Sequence, residues 1–148
     1  MQLKLTTELP ISVNHMYRIG FVRRGQARIP TQILTQEGRD YKVRVGWEVK
    51  AAAIEQGFEP PPKSYFGYVA VAYFPTAGQD LDNVLKVLQD TLFEALGIND
   101  NRVIEIRAAK FVARDAPRVE LCLTTLSLAD VERRYQPLQE AIHVPVLS

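Results

Sequence analysis

Residues 2–9 of the 148-residue chain alternate apolar and polar, which puts Leu3, Leu5 and Thr7 on one face of a half-buried strand. Pro10 ends that run, and residues 11–18 carry neither the strand nor the helix period. Residues 21–29 read as a short basic hairpin or flap turning at Arg24-Gly25. From Thr35, an N-cap residue type, to Gln56, the apolar positions Tyr41, Val45, Val49, Ala52 and Ala53 recur at helical spacing. Gly57 is placed to stop this helix, and Pro60-Pro61-Pro62 forms a stiff connection. Residues 65–74 are dense in aromatic and β-branched side chains and predict a buried strand. A loop over residues 75–79 leads to a helix that opens at Asp80 or Asp82 and runs to Leu96. Its stripe is Val84, Leu85, Leu88, Leu92 and Leu96, and Gly97 suits the left-handed position after its end. Residues 103–112 and 118–126 alternate as two strands, and Asp115-Ala116-Pro117 between them predicts a hairpin. Residues 127–148 read as a tail, with a short helix after Ser127, then Pro137 and a weakly structured end.

The predicted order is β-α-β-α-β-β, a single α/β domain over residues 1–126 in which two helices pack a mixed β-sheet. At 47% hydrophobic and 24% charged residues the chain buries a core without staples, which excludes disorder as its default state. The lone cysteine, Cys122, excludes an internal disulfide framework and a cysteine zinc site, and is expected to be a small sheet or core residue. The N-terminus has no apolar stretch of signal-peptide length, and the apolar run Tyr68–Phe74 is far too short to span a bilayer. The expectation is a soluble cytoplasmic protein with no membrane partner.

Charge adds a feature that the total hides. The net +1 excludes a strongly basic nucleic-acid coat. Residues 1–50 nevertheless carry nine basic and four acidic side chains, a surplus of five, while residues 51–148 carry nine basic and thirteen acidic. Acids concentrate between Gln79 and Glu105, against only Lys86 and Arg102.

The stretch with chemistry is Asp80-Leu81-Asp82-Asn83-Val84-Leu85-Lys86. Where extended chain turns into a helix, two carboxylates two residues apart can aim at one point, and hard cations such as Mg²⁺ take oxygen ligands of this kind. Asp100, just past the helix end, is the third candidate. An aspartate opening a helix also serves as an N-cap, so one of the pair has a structural reading beside the metal one. Lys86 stands one turn after Asp82. It reads either as a surface ion pair, with Asp90 a turn further on, or as an ammonium that offsets charge growing on a phosphate. Asn14, His15, Tyr17 and Arg18 suit phosphate contact or base stacking, or closure of a loop over the sheet. Arg23, Arg24 and Arg28 make an electrostatic footprint for phosphate, or else a charged edge that deters aggregation. Tyr41 and Trp47 are expected in the core or at an interface.

Taken together, several features resemble the RusA family of Holliday junction resolvases, small endonucleases common in phages and prophages. They are Pro10 followed by Ser12, Asn14, Tyr17 and Arg18; Leu34-Thr35 before a helix; Asp80-Leu81-Asp82-Asn83 with Lys86 and Asp90; and Asn99-Asp100-Asn101 before Val103. The resemblance spans about residues 3–126. It implies a RusA-like α/β fold and a homodimeric, metal-dependent enzyme that nicks four-way DNA junctions symmetrically, in recombination and repair. It also implies Asp80, Asp82 and Asp100 as ligands of Mg²⁺ or Mn²⁺, and Lys86 as the catalytic lysine. Asn14, Tyr17, Arg18, Arg23, Arg24 and Arg28 would then bind the branched DNA. This chain has Pro75-Thr76-Ala77-Gly78-Gln79 where family members often carry a basic residue before the first aspartate, and Asn99-Asp100 where they often carry an acidic pair. The rival readings are a non-catalytic branched-DNA-binding module or phage regulator, and a carboxylate-metal transferase of nucleotide sugars.

Overall fold

A computed structural model describes residues 1–142. In chain order it contains β1 (Gln2–Thr7), α1 (Val13–Met16), β2 (Tyr17–Arg24), β3 (Ala27–Leu34), α2 (Gln36–Glu55), β4 (Tyr65–Phe74), α3 (Leu81–Leu96), a 3-10 turn (Asp100–Arg102), β5 (Val103–Val112), β6 (Arg118–Leu126) and α4 (Leu128–Ile142).

The main sheet has the strand order β1-β6-β4-β5. β4 runs parallel to β5 and antiparallel to β6, and β1 pairs antiparallel with β6. The unit β4-α3-β5 is therefore a crossover in which the helix carries the chain back along the sheet, as parallel neighbours require. Alternation sends Phe66, Tyr68, Ala70, Ala72 and Phe74 of β4, with Val119, Leu121 and Leu123 of β6 and Leu3 of β1, to one face. There they meet Tyr41, Val45 and Val49 of α2 and Val84, Leu88, Leu92 and Phe93 of α3, all buried. Phe93 meets Phe66 edge-on at 5.7 Å between ring centroids. Thr35 caps α2 by accepting from the Gly38 amide at 3.0 Å, and its hydroxyl donates to the His15 carbonyl at 2.6 Å, tying α1 to the start of α2. Gly97, at φ +66°, ends α3, where the Ile98 amide reaches back to the Phe93 carbonyl.

Several expectations are corrected. β5 and β6 form no hairpin, because β4 lies between them and the connection over Asp115-Ala116-Pro117 crosses it. The basic hairpin is longer than residues 21–29: β2 and β3 pair from Tyr17↔Leu34 to Arg24↔Ala27 as a separate two-stranded sheet. The single turn α1 and the first residues of β2 occupy part of the segment expected to be irregular. Among the described residues α2 and α3 are the two helices expected to pack the sheet and α4 the one expected after Ser127, and the single turn α1 adds the buried Met16. Pro137 sits inside α4 instead of ending it. Of the core and interface readings, Tyr41 takes the core one, whereas Trp47 is outside the core, exposed and against the Lys50 ammonium. The weakly structured end expected after Pro137 lies, from residue 143 on, outside the described residues.

Candidate active site

The sheet delivers the acidic pair to one end of the domain. β4 finishes at Phe74, the chain turns through residues 75–79, and α3 begins. Asp80 occupies the N-cap position with extended backbone (φ −86°, ψ 130°), yet its side chain makes no capping hydrogen bond. The cap role weighed for this residue is thus not taken up by its carboxylate. Asp82 follows in the first turn. Both carboxylates are exposed, and the helix N-terminus favours their ionised forms. Lys86 stands one turn along, exposed, and forms no ion pair among the described residues, so the expected surface pairing with Asp82 or Asp90 is not made.

A residue that motif reading passed over holds this end together. Lys110, near the end of β5, donates to the carbonyls of Gln79 at 2.9 Å and Ala77 at 3.1 Å. Its ammonium therefore fastens the loop that presents Asp80. Alternation alone does not single Lys110 out; its place beside Ala72, in step with Ile106, Ala108 and Val112, comes from the register of β5 on β4.

Asp100 is placed elsewhere. It opens the 3-10 turn capped by the Asn99 side chain, which accepts from the Asn101 amide at 3.0 Å. Val103, just beyond, pairs with Phe66 at the opposite end of β4 from the acidic pair. The 16 residues of α3 stand between Asp80 and this turn, about 24 Å of helix axis. Asp100 instead lines an open cleft of about 520 Å³ with Lys42, Asp90, Phe93, Glu94 and Asn99. Burial raises the Asp90 pKa, and repulsion from Asp100 and Glu94 adds to this against the pull of Lys42 and Lys86. Lys42 is ion-paired to Glu94.

These positions decide how far a divalent cation fits. Two free carboxylates at a loop–helix junction match the donor chemistry of Mg²⁺, which takes one or two carboxylates and completes its shell with water and phosphate. The expected trio does not assemble within one chain: among the described residues no three acidic, histidine or cysteine side chains stand close enough to hold one ion.

The expected DNA contacts divide by exposure. Asn14, Arg18, Arg23, Arg24 and Arg28 are exposed, whereas Tyr17 is half-buried and packs against the core at the root of the hairpin.

A mixed α/β domain that offers paired carboxylates and an unpaired lysine at a loop–helix junction, and carries a basic hairpin, has the make-up of a phosphodiester-cutting enzyme. The family model described as "Endodeoxyribonuclease RusA" matches residues 10–124, and the chain belongs to this family, that of the RusA Holliday junction resolvases. No curated protein matches the chain. Among solved structures, 2C-methyl-D-erythritol 2,4-cyclodiphosphate synthase from Plasmodium vivax is similar at 8% identity, covering 84% of this chain and 93% of that one with a TM-score of 0.35. A likeness that faint carries no argument. No helix of the described residues is long and apolar enough to cross a membrane.

Proposed function

We propose that the protein is a divalent-metal-dependent endonuclease that resolves four-way DNA junctions inside the cell, in recombination and repair, and that it works as a homodimer with each site assembled from both copies. The observation that carries this reading is the placement of Asp80 and Asp82, free at one end of α3, in a member of an endodeoxyribonuclease family. The separation of Asp100 from that pair supports the second half. β5 is an edge strand, and Ile106, Phe111 and Val112 on it are exposed. Such an edge is a template for pairing with another chain. An antiparallel pairing of two β5 strands about a two-fold axis brings the Asp100 end of one copy to the Lys110 end of the other. That is where Asp80 and Asp82 are held.

In this arrangement Asp80 and Asp82 of one copy and Asp100 of the other bind and orient Mg²⁺ or Mn²⁺. The bound cation supplies a polarised phosphoryl oxygen and a water of lowered pKa. Lys86 places its ammonium where negative charge grows on the phosphate or the leaving oxygen. Lys110 keeps the loop before Asp80 in register. Arg18, Arg23, Arg24 and Arg28, with Asn14, grip the DNA backbone. Two equivalent sites about a two-fold axis match the two equivalent strands of a junction.

The test is cleavage of a synthetic four-way junction against linear duplex, in Mg²⁺ and in chelator, with the parent beside Asp82→Asn. Junction-specific cutting is expected only in the parent with Mg²⁺. Junction binding without cutting, indifferent to chelator and to Asp82, would instead make the protein a non-catalytic branched-DNA-binding module.

A further inference from the structure

The β2–β3 hairpin is unlike the rest of the molecule. Its root is fixed: Met16 is buried, Tyr17 and Leu34 pack on the core, and α1 touches both α2 and α3. Beyond the root, residues 21–32 are all exposed, yet the sequence is not that of a solvated flap. Ile19 is 75% exposed and Phe21 58% exposed, with Val22 and Ile29 also open. A two-stranded hairpin standing alone is marginal in water, and exposed apolar side chains on it point to a surface that something covers.

The charge says what kind of partner. Residues 17–34 hold four arginines (Arg18, Arg23, Arg24, Arg28) and no acid. None of the four makes an ion pair among the described residues. Arg23 lies directly opposite Arg28 in the ladder, and like charges so placed repel. A bound anion would relieve that pair, and no acid among the described residues pairs with either arginine. The two faces also differ. Ile19, Phe21 and Pro30 share one face with Arg23 and Arg28, and the Arg28 guanidinium lies 5.1 Å from the Phe21 ring centre. The other face carries Val22 and Ile29 with Arg18 and Arg24 but no aromatic ring, and there Ile33 folds so closely over Gly20 that a Cβ would stand 2.0 Å from its Cδ1. The Phe21 face is thus an open apolar platform rimmed by guanidinium groups. Docking of two such hairpins on each other would bring their unpaired arginines together, which disfavours a second copy as the occupant.

We propose that this face is a base-stacking platform: Ile19, Phe21 and Pro30 pack on bases left unstacked at the branch point, while Arg23 and Arg28 hold the flanking phosphates. An aromatic face flanked by cations is the surface that exposed bases take, and intact duplex offers no such bases to it. The hairpin then contributes the preference for branched over linear DNA, and the acidic site the cutting. The inference rests on the reading of the protein as an enzyme of branched DNA.

Fluorescence anisotropy in chelator, with a four-way junction and a linear duplex of the same arm sequences, tests it. Phe21→Ala is expected to weaken junction binding about tenfold and leave duplex binding unchanged, while Phe21→Trp keeps the preference. Arg23→Gln is expected to weaken both alike and to flatten their salt dependence by about one unit of slope. A photo-crosslinking phenylalanine analogue at position 21 is expected to mark nucleotides at the branch point. Equal losses of Phe21→Ala on junction and duplex, a Phe21→Ala variant that binds both as the parent does, or crosslinks spread along the arms would overturn the platform. So would a Phe21→Ala variant that falls from dimer to monomer in sedimentation, because the face would then be a subunit contact. A parent with no junction preference would overturn the functional reading itself, and this inference with it.

Discussion

At Asp80 the backbone is already aimed into α3 while the carboxylate makes no cap, and Lys110 fastens the loop just before it. The ammonium satisfies two loop carbonyls, Ala77 and Gln79, that otherwise face water. Losing it frees the loop without touching the carboxylates. Lys110→Ala is therefore expected to lower kcat on a junction by ten- to a hundredfold, the scale on which small misplacements act. Junction affinity in chelator should stay at the parental value, and Lys110→Arg should restore part of the rate. A rise in KM with kcat unchanged would assign Lys110 to DNA binding instead. The candidate residues were legible in the sequence as residue types at a spacing: Asp80 and Asp82 stand at the start of α3 and Lys86 one turn along, as the pattern predicts. The distance from Asp82 to Asp100 was not legible, because it depends on which end of β4 the chain returns to. The local pattern records the helix between them but not the strand beyond it.

Among the elements, α2, α3 and β4 follow their periods, because each buries one face or most of its surface and the burial is written into the spacing. The pairing of β5 and β6 does not follow from theirs. Alternation defines a strand's faces and is silent about its neighbour, so a short connection suggested a hairpin where β4 in fact stands between. The length of the β2–β3 hairpin was hidden for a related reason: with both faces largely open, no apolar alternation marks its ends. α4 is joined to the sheet through Glu105, a carboxylate only 8% exposed that accepts from Arg134 at 2.5 and 2.7 Å and from Arg107 at 3.0 Å. Burial pushes its pKa up, but hydrogen bonds from Arg107, Tyr135 and Arg134 outweigh this and leave it below the ordinary 4.5. The unfolded chain then holds that proton more tightly than the folded one. The stability it contributes is complete above pH 4.5 and is lost as pH falls through the folded value. Thermal melts across that range should show the parent losing more stability on acidification than Glu105→Gln. Parallel losses would mean that the Glu105 cluster does not hold α4.

On the scale of the molecule, a near-neutral chain carries a basic N-terminal third and an acidic pair that a cation would neutralise under the proposed mechanism. Its open β5 edge and the separation of Asp100 from the acidic pair are what the proposed two-fold assembly rests on. Ile106→Asp, which places a charge on that edge, is expected to turn a dimer into a monomer by sedimentation and to abolish cleavage with it, while the melting temperature of the domain stays near the parent's. Cleavage surviving in the monomer would leave the site within one chain. The most direct measurement mixes two inactive variants. In a dimer of Asp82→Asn with Asp100→Asn, shared sites leave one site with both defects and the other intact, so nicking of the junction returns in the mixture while each variant alone stays silent. A mixture as inactive as its components, under conditions where subunits exchange, would contradict an active site built from two copies.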